Sequence, residues 1–151
     1  MNGLFNNCSK IKYLPDISKW NISRVNNIIG MFVNCSSLES FPNISNWNTK
    51  QIINMKGLFN NCSKIKYLPD ISKWDLSNVN NICEMYKCSS LEELPDISNW
   101  KTNKIDDMSN LFGCCSKIEY LHDISKWSIS NAKNIGAMLF GCSKLESLPD
   151  I

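Results

Sequence analysis

The sequence predicts an α/β solenoid, a stack of 26–27-residue coils with one short strand and one short helix in each. Three observations lead there. Tryptophan recurs at 20, 47, 74, 100 and 127. Cysteine keeps the same rhythm at 8, 35, 62, 88, 115 and 142. Within each repeat the apolar positions step mostly by three, then pass into a stretch that steps like one face of a helix.

The repeat justifies itself first. A full unit reads Cys-Ser-x-Leu/Ile-x-x-Leu-Pro-Asp-Ile-Ser-x-Trp, then x-x-Ser-x-Val-x-Asn-Ile/Met-x-x-Met/Leu-Phe-x-x. The chain is read as a single uncapped array over 1–151, with units 8–34, 35–61, 62–87, 88–114 and 115–141 and partial units 1–7 and 142–151. The one short unit arises between Tyr86 and Cys88, which lie a single residue apart where other units carry two. Residues 1–20 and 55–74 differ only at Asn2 and Lys56, so the array grew by copying two units at a time. An array without polar end caps leaves its terminal core open. The expectation is a fragment of a longer array, or ends covered by partners through end-to-end self-association.

The first half of each unit holds proline, at 15, 42, 69, 95 and 149. Proline forbids helix there, so Leu-Pro-Asp-Ile reads as a short extended segment followed by a turn. The second half carries Val25, Ile28, Phe32 and Cys35 at i, i+3, i+7 and i+10, one helical face. Ser23, Ser77 and Ser130 stand two residues ahead of that stripe, where an N-cap belongs. A parallel β-helix without helical turns is the structural alternative. Stacked strands pair at ~4.8 Å, so like residues should form ladders. The Asn27, Asn54, Asn81, Asp107 and Asn134 column is expected to hydrogen-bond from coil to coil, as are the serines that follow Cys and Ile.

Met31-Phe32-x-x-Cys35-Ser-Ser-Leu-Glu-Ser-Phe-Pro-Asn-Ile-Ser45 and its copies resemble the BspA-like bacterial surface-protein repeats over essentially the whole chain. The resemblance implies a right-handed, leucine-rich-repeat-like solenoid. It also implies a cell-surface or secreted protein that binds host or matrix partners. His122 in the proline column, Leu139 in the phenylalanine column and the shortened unit at Cys88 depart from that pattern.

Composition narrows the function. Formal net charge is +2 and only one of the sixteen basic residues, Arg24, is arginine, which speaks against nucleic acid as partner. No apolar run approaches the roughly 20 residues that span a bilayer, and the first residues have no signal-peptide pattern. Repetition across equivalent coils suits a surface better than one unique catalytic constellation, so no enzyme and no cofactor are expected. Zinc is not expected either, because the ladder cysteines recur about every 27 residues and His122 is the one histidine. The cysteine ladder reads as a reduced core column. Cys83 and Cys114 lie outside it and read as the more exposed thiols and the better candidates for reactivity, with neutral drift the weightier reading of both. His122 reads as a solvent-facing substitution. The sequons at Asn7, Asn21, Asn34, Asn43 and Asn61 read as by-products of the repeat.

The expected binding site is the outward flank of the strand: Lys12, Tyr13, Glu39, Lys66, Tyr67, Glu92, Glu93, Glu119 and Tyr120. Aromatic rings among charges suit a protein-binding surface. Alternating Lys and Glu in adjacent coils equally suit pairing with one another. The expected function is adhesion or recognition of a protein partner, with an intracellular interaction scaffold as the alternative.

Overall fold

A computed structural model describes residues 1–148; Pro149 and Ile151 of the repeat reading lie outside them. The repeats do stack. The rings of Phe5, Phe32, Phe59, Tyr86 and Phe112 form a continuous column with centroids 5.5, 5.9, 6.2 and 5.6 Å apart and near-parallel planes. Trp47 lies on Trp74 at 6.2 Å, and Trp100 on Trp127 at 6.3 Å. Ile17, Ile44, Ile71, Ile97 and Ile124 are buried beside them. This one interior is the main stabilising feature, because no single coil can bury its own apolar residues.

The predicted secondary structure is overturned. Among the described residues there is no helix and no strand, only turns and isolated parallel bridges, so the chain is not an α/β, leucine-rich-repeat-like solenoid. The physical reason lies in residues 28–35. Here Ile28, Gly30, Phe32 and Asn34 send their N–H groups to the carbonyls of Asn54, Lys56, Leu58 and Asn60 in the next coil. The alternate residues Met31, Val33 and Cys35 bond back three residues, to Ile28, Gly30 and Phe32. A helix keeps every amide bond within itself. This segment divides them, half closing tight turns and half tying coils together. Gly30 at φ 55° and Asn34 at φ 58° supply the left-handed steps that such turns require and that end a helix. A three-residue apolar step serves this geometry as well as a helical face.

Two of the three serines expected as N-caps, Ser23 and Ser77, sit in Asx turns instead, and the hydroxyl of the third, Ser130, lies 3.0 Å from Ser128 Oγ. Ser23 N–H donates to Asn21 Oδ1 at 3.1 Å, and Ser77 N–H to Asp75 Oδ1 at 2.9 Å. The strand fails for a related reason. Proline has no N–H to continue a ladder, and around Leu-Pro-Asp-Ile the pairing shrinks to single contacts such as Glu39 N–H to Lys12 O at 3.0 Å and the Tyr67–Glu93 bridge. The described residues, free of helix, meet one demand of the β-helix alternative but lack its strands.

The Asn/Asp column was expected to link coils through its side chains. Its backbone bridges from coil to coil, and Asn81 Nδ2 donates to Asp107 Oδ2 of the next coil at 3.2 Å, while the Oδ1 atoms turn inward on their own coil. Asn27, Asn54, Asn81, Asp107 and Asn134 each accept the N–H two residues on, at 2.9–3.1 Å. The serines after Cys do reach between coils, as Ser63 Oγ to Ser36 O at 3.3 Å shows. The serines after Ile offer backbone N–H groups to Asp16, Asn43, Asp70, Asp96 and Asp123 of their own coil.

Left-handed positions carry a testable cost. Gly3, Gly30 and Gly57 share a column with Glu84, Asn110 and Ala137, all at φ 54–62°. Alanine pays about 1–2 kcal/mol there, and glycine's freedom when unfolded offsets about 0.4–1 kcal/mol of any gain. Ala137→Gly is therefore expected to stabilise the chain by about 0.5–1 kcal/mol in urea melts. An unchanged or lowered midpoint would contradict a strained Ala137.

Candidate functional site

The tyrosine-bearing flank is built by residues just after each cysteine turn. Lys12, Tyr13, Glu39, Lys66, Tyr67, Glu93, Glu119 and Tyr120 are exposed, and Glu92 is half-buried. Apolar neighbours on either side, such as Ile65 and Leu68, turn toward the core and so force these side chains outward.

The flank is not a set of free side chains. Tyr13 Oη donates to Glu39 Oε2 at 2.9 Å, Tyr67 Oη to Glu92 Oε2 at 2.8 Å and Tyr120 Oη to Glu93 Oε1 at 3.0 Å. Lys66 Nζ lies 2.9 Å from Glu92, Lys12 Nζ 3.7 Å from Glu39, and Lys144 Nζ 3.6 Å from Glu119. Such exposed pairs add little stability, but they hold the rings in place. The bond to Glu92, and then its negative charge, raises the Tyr67 phenol above its ordinary value. The bonds from Lys66 and then Tyr67 hold Glu92 below the usual carboxylate range.

Beside this flank runs a second column: Asp16, Asn43, Asp70, Asp96 and Asp123. Each Asp oxygen that accepts a Ser N–H closes an Asx turn at 2.8–3.0 Å. Hydrogen bonds from Ser72 and Ser98, side chain and then backbone, keep Asp70 and Asp96 below the usual carboxylate range. They are ionised at neutral pH. The two columns meet in an open recess of about 480 Å³ lined by Tyr67, Leu68, Asp70, Glu93, Leu94, Asp96 and His122 among others. Sequence reading missed the aspartates because each looks like ordinary turn chemistry.

His122 is not the solvent-facing substitution expected. It is half-buried, its Nε2 donates to Leu94 O at 3.1 Å, and it meets Tyr120 edge-on at 5.9 Å. A proline in that column has no such donor, so the substitution adds a bond to the preceding coil.

The ladder cysteines have a defined role. Cys35, Cys62, Cys88, Cys115 and Cys142 point their Sγ at the carbonyls of Phe5, Phe32, Phe59, Tyr86 and Phe112 in the preceding coil, at 3.0–3.3 Å. A thiol must be protonated to donate, and all eight cysteines are free. Cys83 was expected to be exposed and reactive. It is 3% exposed, and burial pushes its thiol up to about 11. The column position that lysine fills as exposed Lys56 is filled here by a small apolar group that folds inward. Cys114 is half-buried at φ 61°.

These thiols give stability a pH dependence. An unfolded cysteine ionises near the ordinary 9.0, whereas burial holds Cys35 and Cys83 protonated to about 11. Above pH 9 the unfolded chain binds fewer protons than the folded one, so stability should fall as pH rises from about 9 toward 11; below 9 these thiols contribute no slope. Urea midpoints measured between pH 7 and 10.5 test this, and Cys83→Ala should flatten the fall. A midpoint that rises with pH would reverse the sign of the argument.

Sequence comparison adds the family. The one described as "Mycoplasma protein of unknown function, DUF285" matches residues 1–93 and again residues 67–150. The chain belongs to this family. The two matches overlap across the middle coils, as expected of a repeat that can be aligned in more than one register. No leucine-rich-repeat or BspA-like family matches this DUF285 chain directly, and no curated protein or solved structure matches it. Among the described residues there is no helix long and apolar enough to cross a membrane. Among the described residues no group of His, Cys, Asp or Glu is placed to hold a metal ion.

Proposed function

We propose that this DUF285 chain is a non-catalytic recognition module that binds another protein through its tyrosine flank, at the cell surface or after secretion. The observation that carries the reading is the set of three tyrosines, Tyr13, Tyr67 and Tyr120, 51–64% exposed and each held to a glutamate of an adjacent coil. Fixed aromatic rings offer large contact area at low entropic cost, which is what protein-binding hot spots use. The surface assignment draws on the association of DUF285 with BspA-like surface repeat proteins.

A triple variant with Tyr13, Tyr67 and Tyr120 changed to Ala tests it. Captured partner should fall at least tenfold against wild type, about 1.4 kcal/mol, while the melting curve shifts little because the rings are exposed. Equal capture by both proteins would move the binding site off this flank.

The thiol column favours a second reading, an intracellular interaction scaffold. Its Sγ donors stabilise the stack only while reduced, a state that intracellular compartments maintain. Counting free thiols on protein from its native source separates the two.

A further inference from the structure

We propose that the array carries a built-in hinge where unit 62–87 meets unit 88–114, and that its corner at residues 85–88 opens in the native protein and uncovers the Cys88 thiol. The hinge stands apart from the recognition reading above.

Backbone bonding is the first argument. Residues 55–61 send four amides to the next coil, from Met55, Gly57, Phe59 and Asn61. Residues 108–114 do the same from Met108, Asn110, Phe112 and Cys114. Residues 82–88 send three, from Ile82, Glu84 and Tyr86, and Lys87 supplies no fourth. The tight turns fail at the same place. Cys62 N–H bonds Phe59 O and Leu58 N–H bonds Met55 O; Cys115 and Leu111 bond back to Phe112 and Met108 in the same way. Among the described residues neither Met85 nor Cys88 closes such a turn. The cause is the residue missing between Tyr86 and Cys88, which leaves the corner too short to form both turns and all four rungs.

Side chains reinforce the junctions on either side and not this one. Trp47 lies on Trp74, and Trp100 on Trp127, but no indole stack joins Trp74 to Trp100 among the described residues. Thr49 and Thr102 each exchange two bonds with the backbone of the next coil, at 2.8 and 3.1 Å. Between the two units Leu76 stands in the threonine column and offers no such bond. The junction of units 8–34 and 35–61 also lacks these reinforcements, but it keeps four amides and both turns. On the flank the hinge edge stays closed. Lys66 Nζ lies 2.9 Å from Glu92, and Glu92 N–H donates to Lys66 O at 3.0 Å, so this edge is the pivot. Tyr13 and Tyr67 lie on one side of it and Tyr120 on the other, so opening turns Tyr120 against the other two rings.

Tyr86 supplies the third argument. It is fully buried in the phenylalanine column, and its Oη has no hydrogen-bond partner among the described residues. A buried hydroxyl without a partner is destabilising, and opening the corner returns it to water. The closed form is thus penalised at the point where its backbone bonds are fewest.

The ladder thiols contain their own controls. Cys62, Cys88 and Cys115 are each 0% exposed, and each donates Sγ to a carbonyl of the preceding coil at 3.0–3.3 Å. A brief pulse of N-ethylmaleimide on the full native chain, followed by digestion and mass spectrometry of each thiol, reads the opening. Cys88 is expected to label about tenfold or more faster than Cys62 and Cys115. Tyr86→Phe, which removes the hydroxyl's gain of water, should slow Cys88 about fivefold and leave Cys62 unchanged. An asparagine inserted between Lys87 and Cys88 restores the full unit length and should bring Cys88 to its neighbours' rate. Equal labelling of Cys88, Cys62 and Cys115 in the wild type overturns the hinge. A Tyr86→Phe chain that labels as fast as wild type overturns the part given to the hydroxyl, and a folded insertion variant that still labels fast overturns the missing residue as the cause. If the insertion prevents folding, amide exchange of the wild type decides. Tyr86 N–H should then exchange about tenfold or more faster than Phe59 and Phe112 N–H, and equal protection of the three overturns the proposal.

Discussion

Trp74→Ala is expected to lower the unfolding free energy by about 3–5 kcal/mol. Trp74 is 3% exposed, lies flat on Trp47 at 6.2 Å and donates Nε1–H to Ile44 O in the preceding coil at 3.2 Å. Truncation removes the largest apolar area in its coil, leaves a cavity and deprives a buried carbonyl of its donor. Trp20 occupies the same column but is only half-buried, so Trp20→Ala should cost clearly less. Urea unfolding of the two variants side by side provides the measurement. Equal, small losses would mean that the indoles are not a packed interior.

Phe59→Ala should cost a similar amount, about 3–5 kcal/mol, but distribute it differently. Phe59 touches Phe32 at 5.9 Å, Tyr86 at 6.2 Å and Phe41 edge-on at 5.1 Å. It joins two coil-to-coil interfaces, and in a one-dimensional array each interface is its own share of the stability. Amide exchange should accelerate on both sides of the lesion, at Phe32 N–H, which bonds Leu58 O, and at Phe59 N–H, which bonds Met85 O. Acceleration spread evenly over all coils would instead describe one cooperative domain. Phe59→Leu should recover part of the loss by refilling the column.

Both predictions concern features legible in the residues alone. The recurrence of Trp, Phe and Cys at 26–27 residues fixed the stacking, because an apolar residue that repeats with the coil can be buried only on its own copies. The outward tyrosines were legible in the same way, as polar-edged residues between apolar ones. The pairing of Lys12 and Lys66 with glutamates of the adjacent coil was one of the two readings left open, and the bonds from the tyrosines to glutamates were not foreseen, since sequence does not say how two exposed side chains share a surface.

Other features were misread because they depend on where backbone bonds go. The step from Val25 to Cys35 fits a helix and fits a run of turns, and only the route of each N–H separates them. In this chain Ile28, Gly30, Phe32 and Asn34 bond outward to the next coil. Ser23 looked like a cap because an Asx turn and an N-cap use the same residue types. Cys83 looked exposed because Lys56 occupies its column, yet a small thiol can turn inward where an ammonium cannot. Asp70 and Asp96 looked like turn residues, and they are; that they also line a recess with Tyr67 and His122 follows from three coils lying side by side.

The sequence by itself determined that this chain is a stack of equal coils with Trp, Phe and Cys inside and a charged, tyrosine-bearing flank outside, because periodicity and hydrophobic burial need no knowledge of bond direction. Tertiary structure alone decided that the coils, over the described residues, are turns without helix or strand, that each ladder thiol serves the coil before it, and that scattered acids converge on one recess. Those outcomes depend on contacts between residues about 27 positions apart, whose geometry exists only once neighbouring coils have closed on each other.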